Sequence, residues 1–468
     1  MSEEKNKVTE LKEKLFYKPK HVSEVISEDE QKKADDFCEE YKSFLDVSKI
    51  EREAVIYFEN KAKKFGFSEY DRDKKYSAGD KVYVNNRGKS IMLAVIGKKS
   101  IKDGARISAA HIDSPRLDLK PNPLYEDNEL ALFKTHYYGG IKKYQWTAIP
   151  LSLHGVIVKK DGSKVTVNIG EDEGDTKFVV TDLLPHLAAE QMKRTLADGI
   201  RGEELNILIG SRPFSKDEGS EKVKLNIISI LNEKYGIIEG DFLSAELEVV
   251  PAFHATDIGF DRSMIGAYGH DDKVCAYPAA EALFAVENPE YTAIAVLTDK
   301  EEIGSEGNTG LNSSYFKYFM SDLSNMQGVD YHTALSNSHC LSADVNAAFD
   351  PTFPDVTEHM NASFVNHGVV ITKYTGSRGK GGTSDASAEY MGKIRKMLND
   401  NDVVWQTGEL GKVDAGGGGT VAMYLAALNI DVVDLGVPVL SMHAPFEVVA
   451  KSDVYMAYRA CKAFMEEK

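Results

Sequence analysis

The chain has 468 residues, 42% of them hydrophobic and 28% charged. This composition is typical of globular proteins and excludes a wholly disordered or collagen-like chain. At about 150 residues per domain the length predicts two or three domains. Acidic residues outnumber basic ones by 73 to 56, a formal charge of −17, which argues against nucleic acid and membranes as partners. Because the chain shows no apolar leader and no long apolar run, we predict a cytoplasmic location.

The first 66 residues have helical patterns, and two strand candidates follow. Ser27 and Glu30 have the spacing of a capping box, and apolar residues follow at helical intervals until Gly66. The apolar runs at 91–96 and 106–110 predict buried strands.

The middle of the chain, residues 118–252, has mainly strand patterns. The β-branched runs at 156–158 and 165–167 flank an Asp-Gly pair, which predicts a hairpin. Residues 178–180 and 225–228 are further strand candidates, and a helix is predicted from just after Thr181 to about Leu196. This stretch is therefore predicted to be rich in β-structure.

Strand–helix alternation returns from residue 253 onward. A helix pattern opens at Asp271, and apolar runs at 292–297, 369–373 and 437–442 predict strands. Alternation of this kind predicts an α/β fold with a mixed, mostly parallel sheet sandwiched by helices. We predict that residues 1–117 and 253–468 form the two parts of one α/β domain and that residues 118–252 are a β-rich insertion.

Acidic residues and histidines lie at the predicted ends of these elements. Taken singly they have ordinary interpretations, such as a helix cap at Asp271 or a solvated pair at Glu301 and Glu302. Groups beyond the carboxyl ends of parallel strands converge on one crevice, and histidines with carboxylates are zinc ligands. A bridging carboxylate among five candidate ligands favours two ions over one. The segments carry His111, Asp271, Glu301, Glu302, Asp344 and His443.

These motifs, in this order, resemble the aspartyl aminopeptidase family of co-catalytic zinc exopeptidases in clan MH. The resemblance rests on segments 110–116, 271–273, 301–305 and 442–445. It implies a zinc exopeptidase-like α/β fold in which the α/β domain is catalytic. It also implies that the β-rich insertion is a dimerisation domain of a homo-oligomer, often a dodecamer in the form of a tetrahedral shell.

The resemblance also implies a ligand set for two zinc ions, with Co²⁺ or Mn²⁺ as alternatives. His111 and Asp344 would bind one ion, and Glu302 and His443 the other. Asp271 would bridge the two ions.

Two further roles follow from the resemblance. Glu301 would be the general base and later the proton donor, and Asp113 would hydrogen-bond His111 from outside the ligand set. The peptide bond between Asp271 and Asp272 would be unusual and cis, and either carboxylate could supply the bridge, with Asp271 favoured by the family pattern.

Candidate substrate-binding residues lie elsewhere in the chain. The resemblance places a substrate-contacting lysine at Lys373, and a histidine that reaches a neighbouring subunit's active site at His186. Gly417 and Gly418 allow close backbone approach, either to substrate or to a packed neighbour, and we favour substrate. The glycine-rich segment 378–382 fails the P-loop pattern and has no assigned role.

The predicted activity is hydrolysis of the N-terminal residue from peptide substrates, whether acidic or neutral apolar. One alternative is another di-zinc hydrolase, a deacylase or a carboxypeptidase, in which Arg116 or Arg378 would bind the substrate carboxylate. Another is a catalytically silent, shell-forming binding protein. Glu301 argues against the latter, because a structural metal site needs no second carboxylate beside its ligand.

Overall fold

The computed structural model describes residues 2–215 and 219–468. Over these residues the chain forms ten α-helices and 21 strands. The helices are α1 (Ser2–Leu15), α2 (Glu28–Val47), α3 (Glu51–Lys64), α4 (Lys222–Tyr235), α5 (His270–Phe284), α6 (Tyr315–Met326), α7 (Tyr331–Ser336), α8 (Ala388–Asp400), α9 (Ala422–Ala426) and α10 (Lys451–Met465).

The strands fall into three sheets. Their bounds are β1 (Ser68–Glu69), β2 (Lys81–Asn86), β3 (Ser90–Val95), β4 (Ala105–His111), β5 (Arg116–Asp127), β6 (Leu130–Tyr138), β7 (Leu151–Val158), β8 (Lys164–Ile169), β9 (Val179–Val180), β10 (Ile207–Gly210), β11 (Ala245–Pro251), β12 (Thr256–Ile258), β13 (Met264–Ala267), β14 (Thr292–Thr298), β15 (His339–Ser342), β16 (Asn346–Ala347), β17 (Val369–Thr372), β18 (Trp405–Thr407), β19 (Asp431–Gly436), β20 (Pro438–Leu440) and β21 (Glu447–Ala450).

The largest sheet has the strand order β1-β2-β3-β14-β4-β15-β19-β17-β18. Its centre, β14-β4-β15-β19, is parallel, whereas β3 and β17 pair antiparallel with their neighbours on the inner side. The predicted mixed, mostly parallel sheet is therefore confirmed. The parallel centre matters for function because it brings the carboxyl ends of β4, β14 and β15 to one edge.

Both faces of this sheet are covered by helices, which explains why its central strands are apolar without alternation. In β4, Ala110 packs into the core beneath α2, α3, α5, α8 and α10. Ile107 and Ala109 point the other way, into the core beneath α6, α7 and α9. The predicted three-layer sandwich is confirmed.

The second sheet is built from β5 to β11 in the order β8-β7-β11-β5-β6-β10-β9, and its pairings are antiparallel. It has its own core around Trp146, Leu153 and Phe242. The predicted hairpin is present, with β7 paired to β8 so that Val158 faces Lys164.

The third sheet is small, with the order β12-β13-β21-β20-β16. The apolar run at 437–442 was predicted as a strand, and its β20 belongs to this sheet. The connection from β20 to β21 carries His443 toward the edge where β4 and β14 end.

Two predicted elements are wrong. The segment after Thr181 forms turns and one short 3₁₀ helix, Gln191–Lys193, instead of an α-helix. Its leucine and methionine side chains are exposed, so they add no core packing that would stabilise a helix there. The predicted strand at 225–228 lies inside α4. A short apolar run cannot distinguish a strand from a helix by periodicity.

In the part of the chain that the structure describes, no helix is both long enough and apolar enough to span a membrane.

Candidate metal centre

The predicted ligands meet at the carboxyl edge of the parallel strands. His111 is the last residue of β4 and pairs in register with Thr298 of β14. Glu301 and Glu302 follow β14 in a 3₁₀ turn, Glu301–Ile303. Two further carboxylates enter from Asp344, just beyond β15, and Asp271, in the first turn of α5.

Asp271 lies between the two histidines. Its Oδ1 is 3.1 Å from Nε2 of His111, and its Oδ2 is 3.0 Å from Nε2 of His443. Glu301 lies on the His111 side, with Oε2 at 3.8 Å from Nε2. Glu302 lies on the His443 side, with Oε1 at 3.7 Å from Nε2. The arrangement has two halves that share one carboxylate.

Among residues 2–215 and 219–468, three overlapping sets of donors are close enough to hold a metal ion. In each set the ligand atoms lie within 4.8 Å of one another. The sets are His111 with Glu301 and Asp344, His111 with Asp271 and Glu302, and Asp271 with Asp272 and Asp344.

Asp272 belongs to one of these sets, but its contacts differ from those of Asp271. The peptide bond between them is cis. Oδ2 of Asp272 accepts a hydrogen bond from the backbone N–H of His111 at 3.3 Å. Asp271 faces both histidine rings, whereas Asp272 lies under the end of β4.

The donor set fits divalent metal ions. Among the described residues, Oδ1 of Asp271, Oδ1 of Asp272 and Oε1 of Glu302 are buried without a hydrogen-bond partner. Burial, reinforced by the charge of Asp272, raises the pKa of Asp344 well above its usual value. Buried carboxylates that repel one another in this way are stabilised by a cation.

In both histidine rings Nδ1 bonds to a backbone carbonyl and Nε2 faces Asp271. Nδ1 of His111 lies 2.9 Å from the carbonyl oxygen of Asp113, and Nδ1 of His443 lies 2.7 Å from that of Gly140. Because a carbonyl oxygen only accepts, Nδ1 carries the proton in each ring. Burial lowers the pKa of His443, but its hydrogen bond to Asp271 and nearby carboxylates raise it to about 10. A metal ion would take the place of the Nε2 proton.

Asp113 holds several parts of the site together. Its Oδ1 is 3.3 Å from Nδ1 of His111. The backbone N–H groups of Glu301 and Glu302 donate to its two carboxylate oxygens at 3.2 and 3.3 Å. The hydroxyl of Tyr138 donates to Oδ2 at 2.8 Å. One buried carboxylate thus orients a histidine and the turn with the glutamate pair.

Glu447 is a functional candidate that the sequence analysis missed. Its Oε2 accepts the backbone N–H of Asp271 at 3.1 Å, and its Oε1 accepts that of His443 at 2.7 Å. Burial, together with the charge of Asp271, raises its pKa to about 8. Its position four residues after His443 was the available signal. Tyr138, which precedes two glycines at the end of a strand, was also missed.

The predicted substrate-binding residues Lys373, Gly417 and Gly418 form their contacts outside the cluster of predicted metal ligands. Lys373 is 42% exposed and forms an ion pair with Asp385. A Cβ at Gly417 would lie 2.1 Å from the carbonyl oxygen of Gly376, and the carbonyl of Gly418 accepts the N–H of Gly376 at 2.6 Å. These glycines therefore allow two loops to pack closely, and a substrate contact stays a prediction.

His186 lies on the exposed segment between β9 and β10. Leu183, Leu184 and Leu187 on the same segment are at least half exposed. Its predicted place in a neighbouring subunit's site stays a prediction.

Comparison with known proteins gives a consistent result over nearly the whole chain. The family model for aminopeptidase I zinc metalloproteases (M18) matches residues 44–465. A probable M18 family aminopeptidase 1 of Clostridium acetobutylicum is 51% identical over 434 residues, which are 91% of this chain and 93% of that protein.

Solved structures agree with this assignment. The crystal structure of an M18 aminopeptidase from Thermotoga maritima matches with a TM-score of 0.92 and 43% identity, covering 97% of this chain and 100% of that one. Aminopeptidase I from Clostridium acetobutylicum matches with a TM-score of 0.91 and 45% identity, with the same coverage. The S. cerevisiae mApe1 dodecamer shares the fold, with a TM-score of 0.73 at 20% identity over 92% of this chain and 95% of that one. The chain therefore belongs to the M18 family of zinc aminopeptidases, hydrolases of clan MH.

Proposed function

We propose that the chain removes the N-terminal residue from peptides by using two zinc ions and Glu301 as the general base. The observation that carries the proposal is the position of Asp271, whose two oxygens face His111 and His443 at 3.1 and 3.0 Å. His111 and Asp344 would hold one ion, and Glu302 and His443 the other. Co²⁺ and Mn²⁺ are alternatives that such a donor set also accepts.

Glu301 suits the role of base. Burial and the charges of Asp271 and Asp113, against the opposing effect of His111, raise its pKa to about 7. A carboxylate with a pKa near neutrality can both take and return a proton. When bound, zinc lowers the pKa of water and polarises the scissile carbonyl. Glu301 would accept the proton of the attacking water and later deliver it to the leaving amine.

The acidic surroundings favour a free N-terminus as the anchor of the substrate. The free α-amino group of a peptide would bind the second metal ion or an acidic side chain beside it. The carboxypeptidase alternative needs a free arginine, yet Arg116 is buried and pairs with Glu248 and Asp118 at 3.0 and 2.8 Å. This argues against Arg116 as the anchor of a substrate carboxylate, whereas Arg378, the other candidate, is exposed.

We further propose a homo-oligomer assembled from dimers through residues 118–252, with a dodecamer by analogy with S. cerevisiae mApe1. The exposed leucines beside His186 form an apolar surface of the kind that protein contacts cover. His186 would donate a hydrogen bond to the developing oxyanion of a neighbouring subunit. A cytoplasmic location stays a prediction.

The preferred substrate is proposed only as a class, peptides with a free amino terminus. Lys373 would favour acidic first residues if it reaches the substrate side chain. Its present partner, Asp385, also binds Lys380 at 2.9 Å, so Lys373 can exchange partners while Asp385 stays paired.

A substrate panel tests the proposal. Aminoacyl substrates bearing Asp, Glu, Leu or Met are measured with a free and with an acetylated amino group, and peptides are measured with a free and an amidated carboxyl terminus. We expect hydrolysis to require the free amine and to tolerate the amide. Hydrolysis that instead requires a free carboxyl terminus would support the carboxypeptidase alternative.

A further inference from the structure

A short segment of the second sheet reaches the metal centre. Strand β6 ends at Tyr138, and Gly139 and Gly140 continue from it. The rest of β6 pairs with β5 and β10 inside the second sheet. The ligands themselves come from the α/β domain, so this segment approaches them from another part of the fold.

Tyr138 contacts the His111 half of the centre. Its hydroxyl donates to Oδ2 of Asp113 at 2.8 Å, and Oδ1 of Asp113 lies 3.3 Å from Nδ1 of His111. The guanidinium carbon of Arg116 lies 3.8 Å from the centroid of the Tyr138 ring. Tyr138 is buried, so its ring is held while its hydroxyl fixes the Asp113 carboxylate.

Gly140 contacts the His443 half directly. Its carbonyl oxygen accepts the Nδ1 proton of His443 at 2.7 Å. This bond sets the tautomer that presents Nε2 to Asp271.

Gly139 allows the segment to pack against Glu302, a third proposed metal ligand. A Cβ at this position would lie 2.9 Å from Oε2 and 3.3 Å from Cβ of Glu302. Its φ of +76° is also in the left-handed region that glycine favours. A larger residue would displace either Glu302 or the Gly140 carbonyl.

We infer that the segment Tyr138–Gly140 is a positioning element for both halves of the metal centre. It orients His111 through Asp113, orients His443 through the Gly140 carbonyl, and leaves room for Glu302. The second sheet thereby acts on metal binding within its own subunit, separately from any role in assembly. The inference rests on the proposed two-metal function.

The first test removes one hydroxyl. In Tyr138→Phe we expect the affinity for the ion on the His111 side to fall about 10-fold, the lower end of the effect of losing a group bonded directly to a ligand, because Tyr138 acts through Asp113. The readout is the titration of metal-free protein with Co²⁺, followed by its visible absorption, together with Zn²⁺ competition against a chelator. Tyr137→Phe is the matched control, because Tyr137 is 40% exposed on the opposite face of the same strand.

A double-mutant cycle separates positioning from a general structural effect. If Tyr138 acts through Asp113, Tyr138→Phe combined with Asp113→Asn should bind Co²⁺ no more weakly than Asp113→Asn alone. Additive losses would contradict the inference, as would unchanged Co²⁺ affinity in Tyr138→Phe. Loss of the fold in Tyr138→Phe, seen by thermal unfolding of the metal-free protein, would also contradict it.

Gly139→Ala tests the other half. We expect the affinity for the ion held by Glu302 and His443 to fall at least about tenfold, because the new Cβ contacts Glu302. The ion held by His111 and Asp344 should still bind. Two ions bound with unchanged affinity would overturn this part of the inference. If the unaltered protein itself binds fewer than two ions, the proposed function fails instead, and the two failures are thus distinguishable.

Discussion

At the scale of single residues, the centre is defined by carboxylates that share a small volume and two histidines that face one of them. Asp271 contacts both rings, and Glu447 holds the backbone N–H groups of Asp271 and His443. These bonds leave the ligand atoms little freedom to move. Backbone groups held in this way would orient the two side chains for metal binding.

Glu301→Gln tests the general base. The amide keeps the shape of the side chain but cannot accept the proton of water, so turnover should fall at least about 100-fold. Metal content should stay unchanged, because the proposed ligands are other residues. Metal analysis and steady-state rates measure both effects, and near-normal turnover of a fully metallated variant would rule out Glu301 as the base.

Asp271→Ala tests the bridge. The change removes an oxygen that faces each histidine, so we expect bound metal to fall toward zero. Equilibrium dialysis followed by elemental analysis measures it, with Asp272→Ala as the comparison. Two tightly held ions in Asp271→Ala would place the bridge elsewhere, and a larger loss in Asp272→Ala would point to Asp272.

At the scale of elements, helix α3 and strand β7 are joined by a buried histidine. Nδ1 of His154 lies 2.7 Å from Glu53, and Nε2 lies 3.0 Å from Glu171. Lys49 faces Glu171 at 3.5 Å. Burial lowers the pKa of His154, but the hydrogen bonds to Glu171 and Glu53 raise it to about 9. The protonated ring therefore links helix α3 to the second sheet.

This histidine predicts a pH dependence of stability. The pKa of His154 is about 9 in the folded protein, and its usual value is 6.5. Its contribution to the free energy of unfolding is therefore fully present below about pH 6.5. It is lost as the pH rises through 9, up to roughly 3 kcal/mol in unfolding free energy. Denaturant unfolding between pH 6 and pH 10 measures it. His154→Gln should flatten the dependence, whereas the exposed-site control His136→Gln should retain it; equal slopes in all three proteins would refute the assignment.

The elements also show how far sequence patterns reach. Strands β4 and β14 were predictable because their apolar runs are continuous, and His111 at the end of β4 followed from that. The segment after Thr181 has helical spacing, but its leucines face solvent, so propensity alone did not form a helix.

The contacts of Tyr138 and Glu447 could not be predicted from local patterns. Glu447 and Asp271 are 176 residues apart in the chain. Local sequence patterns do not indicate which distant backbone groups a carboxylate contacts. The ligand types and their order were recognisable, whereas the groups that orient them depend on tertiary packing.

At the scale of the whole molecule, the second sheet lies against the metal centre and also carries the exposed segment with His186. The positioning segment acts within one subunit, whereas His186 is proposed to act in a neighbour. If both proposals hold, assembly and metal binding depend on the same second sheet.

Subunit mixing tests the role of His186. His186→Ala and Glu301→Gln proteins should each be weak alone, and exchange between them should restore activity, because a hybrid dimer contains one site with both groups intact. Rates are measured before and after exchange, with each protein alone taken through the same procedure. Absence of recovery in proven mixed oligomers would remove His186 from the neighbouring site.

The central claim is that two metal ions on one shared carboxylate support hydrolysis at a free amino terminus. The most direct measurement titrates metal-free protein with Zn²⁺ while following bound zinc per chain and hydrolysis of a free and an N-acetylated aminoacyl substrate. The account predicts two ions per chain, activity that develops as they bind, and cleavage of the free-amine substrate alone. Full activity with one ion or none bound, or equal rates on the acetylated substrate, would contradict it.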